Sequence, residues 1–217
     1  MRLILASTSP ARLSVLRQAG IEPTPIAPEV DEEVAVVAKE KELGRSLTAI
    51  EMVEHLARLK AEDVANRLSN DPTNSDFDGL ILGGDSAFVL NGVIMGKPHQ
   101  PKIALERAKS HRGQTGVLYS GHWLISFAGG SQQVAAGEVD TASVTLTADV
   151  TDEELKDYVA TGEPLELAGG FAIDGLAGAF IERIDGAPSC VIGLSLPAFR
   201  RLVLKLGRSY TDLWNKH

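Results

Sequence analysis

Cysteine is nearly absent from this chain: of 217 residues, only Cys190 carries a thiol. A lone thiol excludes an intrachain disulfide and a cysteine-ligated zinc site. The histidines His55, His99, His111, His122 and His217 show no H-x-x-x-H or related metal spacing. No block of basic residues occurs, and 21 Lys and Arg stand against 29 Asp and Glu, a formal charge of −8. A nucleic-acid polymer as partner is therefore excluded, whereas a small anion held by a few local cations is not. Nor does any stretch approach the ~20 apolar residues of a membrane span. The opening Met1-Arg2-Leu3-Ile4-Leu5-Ala6 breaks at Ser7 and Pro10, short of the ~7–15 residue core of a signal peptide. It reads as the first strand of a cytoplasmic protein. Internal repeats, low-complexity tracts and flexible linkers are missing too.

What is present is ordinary for a globular chain: 44% apolar and 23% charged residues, enough to exclude disorder. The expectation is one domain of two lobes spanning residues 1–217. Arg2 to Ala6 is a buried strand. Ser9 then suits an N-cap, Pro10 the first helical position and Gly20 the stop. Ile21 to Ile26 is a second strand that ends in an acidic loop, Asp31-Glu32-Glu33. From Thr48 to Leu68, Ile50, Val53, Leu56, Ala57, Val64 and Leu68 recur at helical spacing, and Lys60 falls on the same stripe. Asn70 to Asp78 reads as a polar loop and Leu80 to Gly83 as a short core strand. Asn91-Gly92 between Ala87–Leu90 and Val93–Met95 predicts a type I′ hairpin. A helix from about Pro101 to Ser110 leads to paired strands, Val117 to Phe127 and onward to Thr147, turned at Gly129-Gly130. Thr151 to Glu154 is a capping box for a helix to Ala160. A strand from Ala179 to Ile184 and a helix from Pro197 to Leu206 follow. The mixture predicts an α/β fold with a mixed sheet flanked by helices.

Several segments carry chemistry. Ser7-Thr8-Ser9-Pro10-Ala11-Arg12 joins a helix N-terminus, hydroxyls and a guanidinium, an arrangement that attracts phosphate. The same residues also suit a plain N-cap with a surface arginine. Gly83-Gly84-Asp85-Ser86 sets a carboxylate beside a buried strand, fit for a general base, a Mg²⁺ ligand or a simple turn cap. In Gly96-Lys97-Pro98, Pro98 stands where a Walker loop needs Ser or Thr, so Lys97 remains only as a phosphate cation or a surface lysine. Lys60 on an apolar face must snorkel out or meet an anion. Glu32 can hold metal or belong to a solvated acidic run. The Gly-rich segment from Ala168 to Gly178 surrounds Asp174 and lacks G-x-G-x-x-G, which excludes a dinucleotide fingerprint. Together these are the parts of a metal-assisted phosphate site.

The set, in order, resembles the Maf family of nucleoside triphosphate pyrophosphatases. It runs Leu3 to Arg12, Val30-Asp31-Glu32, Leu59-Lys60-Ala61, Gly84-Asp85-Ser86, Gly96-Lys97-Pro98, Tyr158 to Leu165 and Ala168-Gly169-Gly170-Phe171. The resemblance is collinear over nearly the full length. It implies an elongated mixed sheet with a central cleft between two lobes, and hydrolysis of nucleoside triphosphates, modified ones included, to monophosphate and pyrophosphate. It further implies a divalent cation, Mg²⁺ or Mn²⁺, with Glu32 and Asp85 as its acidic pair. Asp85 falls at the proton acceptor, and Ser7, Ser9, Arg12, Lys60 and Lys97 match phosphate-binding positions. Ala11 replaces a second arginine, Leu167 a lysine, and Asp174 a glutamine at a position that contacts the base. The partner implied is the nucleotide alone, without nucleic acid or membrane, and a homodimer is compatible with it. Two rivals stand beside this: a non-catalytic nucleotide-binding regulator of cell division and septum formation, and an inosine triphosphate pyrophosphatase. The carboxylates argue against the first, since a pure binder gains nothing from negative charge beside phosphates. The Ser7–Arg12 and Gly96-Lys97-Pro98 spacing argues against the second.

Overall fold

The computed structural model describes residues 1–71 and 76–215. Residues 72–75 of the expected polar loop, and His217, lie outside them. A seven-stranded mixed sheet in the order β2-β1-β3-β5-β6-β7, with β4 paired to β3, forms the backbone of the fold. Its strands are β1 (Arg2–Ala6), β2 (Thr24–Ile26), β3 (Gly79–Leu90), β4 (Val93–Met95), β5 (Thr115–Ala128), β6 (Ser131–Leu146) and β7 (Ile181–Asp185). The helices are α1 (Pro10–Gln18), α2 (Glu32–Leu43), α3 (Ala49–Asn70), α4 (Pro101–His111), α5 (Asp152–Ala160), α6 (Pro188–Ile192) and α7 (Leu196–Lys205). β1 runs parallel to both β2 and β3, with Ile4 opposite Ile81, while β3–β4 and β6–β7 are antiparallel. The expected α/β class with a mixed sheet is thus correct.

Two compact units emerge from this chain. The first comprises residues 1–85, 120–140 and 193–217, the second 86–119 and 141–192. In the first, Ala61, Val64 and Leu68 of α3 pack with Ile4, Ile81 and Phe127 from the sheet. Each fully buried large side chain there contributes about 1.5–3 kcal/mol relative to exposure. In the second, Phe88, Leu118, Val144, Tyr158 and Phe171 share a core.

Local rules explain the elements. Ser9 caps α1, its Oγ accepting from the backbone N of Arg12. At the far end, Gly20 N donates to Arg17 O and Ile21 N to Leu16 O, a Schellman closure. That closure uses Ile21, so the expected strand from Ile21 starts only at Thr24. Thr48 and Thr151 form capping boxes with Glu51 and Glu154. Asn91 and Gly92 both take positive φ, 51° and 78°, as a type I′ turn requires.

Other expectations fail. The acidic loop is the start of a helix: Asp31 caps α2, accepting from Val34 N, and none of α2's residues is buried. Lacking an apolar stripe, it left no periodic signal. Leu80–Gly83 is not a short strand; β3 continues through Gly83, Gly84 and Asp85 because every residue from Gly79 to Asp85 is buried in the sheet. Ile50, expected on the buried stripe, is exposed in the first turn of α3. The last strand begins at Ile181, since Leu176–Phe180 is a 3₁₀ turn.

Candidate active site

Asp85 lies on β3 and Lys60 on α3, and close packing brings them together. A Cβ at Gly83 would sit 2.1 Å from the carbonyl oxygen of Ala57, so only glycine lets α3 approach the strand this closely. Lys60 Nζ then donates to Asp85 Oδ1 at 2.7 Å and pairs with Glu32 Oε1 at 2.8 Å. Lys60 and Asp85 are buried, at 5% and 6% exposure, whereas the Glu32 side chain is half exposed. The expected tension of a lysine on an apolar face is resolved by two carboxylates.

Arg12 in the first turn of α1 is the second cation of the cluster. Its Nη1 donates to Ser7 Oγ at 3.2 Å and its Nε to the carbonyl of Gly193 at 2.8 Å. Gly84 makes room for it, because a Cβ there would stand 3.1 Å from Arg12 Nε. Ser7 Oγ also accepts from Ser9 N at 3.1 Å, which ties the hydroxyl turn to the helix start. In front of that turn lies a recess of ≈ 370 Å³ lined by Ser7, Thr8, Ser9, Pro10, Leu13, Pro25 and Ala27.

Burial dominates the electrostatics. It lowers the Arg12 pKa against the pull of Asp85 and Glu32. It raises that of Asp85 against the charges of Lys60 and Arg12, and nearby Glu32 adds to the rise. A carboxylate so placed is more basic than one in water. The cluster is not the cationic pocket that phosphate chemistry alone suggests: Arg12 and Lys60 are matched by Glu32 and Asp85.

Structure thus gathers Ser7, Ser9, Arg12, Glu32, Lys60 and Asp85 in the first unit. Lys97 and Asp174 belong to the second. There Lys97 Nζ lies 3.8 Å from Glu166 Oε2, both side chains exposed, and His99 Nδ1 meets the other oxygen at 3.0 Å. Asp174 is exposed in a turn. Just after it, the carboxylate of Glu163 accepts from Leu176 N, Ala177 N and the Tyr158 hydroxyl. Glu163, inside the Gly-Glu-Pro motif, is a loop anchor that sequence reasoning passed over; a carboxylate beside a Gly-rich loop was the available signal. Gly193 had none, being 181 residues from Arg12.

The Maf-like protein profile matches residues 2–206. The chain belongs to that family. A nucleoside triphosphate pyrophosphatase of Leifsonia xyli is 54% identical over 216 residues, covering 100% of this chain and 98% of that one. Proteins of the same name from Thermosynechococcus vestitus and Salinispora tropica are 47% and 44% identical, over 98% and 100% of this chain and 98% and 88% of theirs. The Staphylococcus aureus Ham1 structure covers 98% of both chains at 11% identity and a TM-score of 0.42, too distant a likeness to bear on this Maf chain. Among the described residues no helix is long and apolar enough to cross a membrane.

Proposed function

We propose that this chain is a nucleoside triphosphate pyrophosphatase, releasing pyrophosphate and leaving the nucleoside monophosphate. The observation that carries the reading is Asp85, a buried carboxylate in mid-strand, held 2.7 Å from Lys60 and sharing that ammonium with Glu32. The names of the Maf relatives support it.

In this reading Asp85 takes the proton of a water that attacks the α-phosphorus, and pyrophosphate leaves. Arg12, with Ser7, Ser9 and the N-terminus of α1, binds the phosphates and neutralises charge growing on the leaving group. Lys60 holds Asp85 in place before substrate enters and offers its ammonium to a phosphate oxygen afterwards. Lys97 adds a further phosphate cation. Glu32 and Asp85 are hard oxygen donors that converge on one cation already, so they fit Mg²⁺ or Mn²⁺. Among the described residues no three His, Cys, Asp or Glu gather, so such an ion would draw its remaining oxygens from phosphate and water. When bound, it supplies charge neutralisation at the phosphates.

Base selection is assigned to Asp174. A carboxylate accepts two adjacent donors, as guanine's N1–H and N2–H₂ edge offers, but repels the carbonyls of uracil and thymine. Donor-rich bases, modified guanines included, are therefore favoured. The site of action is the cytoplasm, and residues 1–217 form one Maf-like domain built from both units.

The test is a nucleotide panel with Mg²⁺ or Mn²⁺, following pyrophosphate and monophosphate. Equal release of both is expected. Tight binding without turnover would support a regulator of cell division instead, and release of inorganic phosphate would overturn the assignment.

A further inference from the structure

We infer that His122 is a positioning residue for Arg12, acting through the segment Gly193-Leu194-Ser195. The inference rests on the reading of Arg12 as a phosphate ligand. His122 lies in β5 and is 1% exposed, away from Asp85 in sequence and absent from the proposed chemistry. Both of its ring nitrogens are committed. Ser195 N donates to Nε2 at 2.9 Å, and an amide N–H can only donate, so Nε2 carries no proton. Nδ1 lies 3.2 Å from the carbonyl of Glu138, which can only accept, so Nδ1 carries it. One neutral tautomer satisfies both neighbours.

The surroundings maintain that state. Burial holds the His122 pKa down to about 4, and Arg12 and Arg201 push it the same way, against the Glu138 carbonyl and the Asp140 carboxylate. Ser195 is fastened on its other side as well: its hydroxyl donates to Asp140 and accepts from Ala198 N, capping α7. Two residues earlier, Gly193 takes φ of 116°, a conformation closed to side chains, and turns its carbonyl to Arg12 Nε. Fixing Nε fixes the plane of a guanidinium, and with it the directions in which its other N–H groups meet phosphate oxygens. The path from His122 to Arg12 thus runs through two hydrogen bonds and two peptide units.

Steady-state kinetics with the triphosphate that the wild type turns over fastest will test this, alongside titration with inorganic pyrophosphate. His122→Phe keeps the volume and removes the acceptor. It should raise KM and the pyrophosphate Kd about tenfold and lower kcat as well, since Arg12 also meets the charge that grows on the leaving group. His122→Gln, whose Oε1 can accept from Ser195 N, should restore most of the loss. Gly193→Ala should repeat the His122→Phe effect, and it keeps the question open to test if His122→Phe does not fold. On an Arg12→Ala background either substitution should add less than about twofold, because the group being positioned is gone. Additive effects would overturn the proposal, as would a lowered melting temperature with unchanged KM. So would a ¹⁵N spectrum at neutral pH showing Nε2 protonated. If Arg12→Ala itself leaves KM unchanged, the reading of Arg12 as a ligand falls and takes this inference with it. A sensitive Arg12 without coupling refutes His122 alone.

Discussion

The two units hold their candidate residues in opposite ways. In the first, Arg12, Lys60 and Asp85 are buried on regular elements and bonded to one another or to fixed carbonyls. In the second, Lys97 and Asp174 stand exposed in irregular segments, and the contact from Lys97 to Glu166 is 3.8 Å long. Withdrawn and paired charges are set in position before a ligand arrives, which is what bond-breaking chemistry requires. Exposed side chains on turns can differ between relatives without disturbing a core, and that suits the choice of base.

The largest effect expected from this contrast is on turnover. Asp85→Asn keeps shape but cannot accept a proton, and should lower kcat by ~10²–10⁴ with little change in fold. Near-normal pyrophosphate release by this variant would place the chemistry elsewhere. Lys60→Met comes next. Leaving Asp85 buried without its ammonium should cost about 3–5 kcal/mol of stability in urea unfolding. Lys97→Met, across an exposed pair, should leave the unfolding midpoint unmoved. Equal losses in the two variants would erase the distinction between the units.

Acid sharpens the comparison, since among the described residues each unit buries one histidine. His122 uses both nitrogens, but among the described residues His111 Nε2 has no partner, and its ring packs edge-on to Phe88 and Phe171. Burial lowers its pKa from 6.5 to about 4, with Arg107 helping. Because the folded value is the lower one, the stabilisation is complete above 6.5 and is lost as pH falls toward 4. That loss approaches about 3 kcal/mol per histidine. Asp85, with a raised pKa, acts in the opposite sense over the acid range. His111→Phe should therefore flatten the fall in melting temperature between pH 6.5 and pH 4. An unchanged slope would show that His111 does not titrate with unfolding. The smaller effect on activity belongs to base choice: Asp174→Gln should move kcat/KM ratios from GTP and 7-methyl-GTP toward UTP and dTTP by ~1–3 kcal/mol. Identical ratios in both proteins would mean that Asp174 does not read the base.

Local signals were legible where one residue type has one use. Ser9 before Pro10, the capping boxes at Thr48 and Thr151, and Asn91-Gly92 each specify a backbone geometry within four residues. Lys60 on an apolar stripe announced a buried partner, though not which one. Helix α2 stayed hidden because it buries nothing and relies on Asp31 and Gly44 as caps. The unbroken course of β3 was hidden for a different reason: Gly83-Gly84 is also a turn signal, and only packing against α3 selects the strand. The link from His122 through Ser195 to Arg12 joins segments separated by 73 and more residues, beyond any local pattern.

The pairing of Lys60 with Glu32 and Asp85, in whose field Arg12 also lies, shapes how a ligand arrives. Two positive and two negative charges lie within one small volume. At distances large beside their own separation, these opposite charges cancel. A nucleotide in solution therefore meets the long-range field of a protein with formal charge −8, which repels it. In the proposed reading capture begins at contact, when phosphate oxygens meet Arg12 and displace carboxylates from Lys60. Association measured by stopped flow should stay level or quicken as salt is added, because screening weakens that repulsion. A steep slowing with salt would reveal an attractive field that these four charges do not produce.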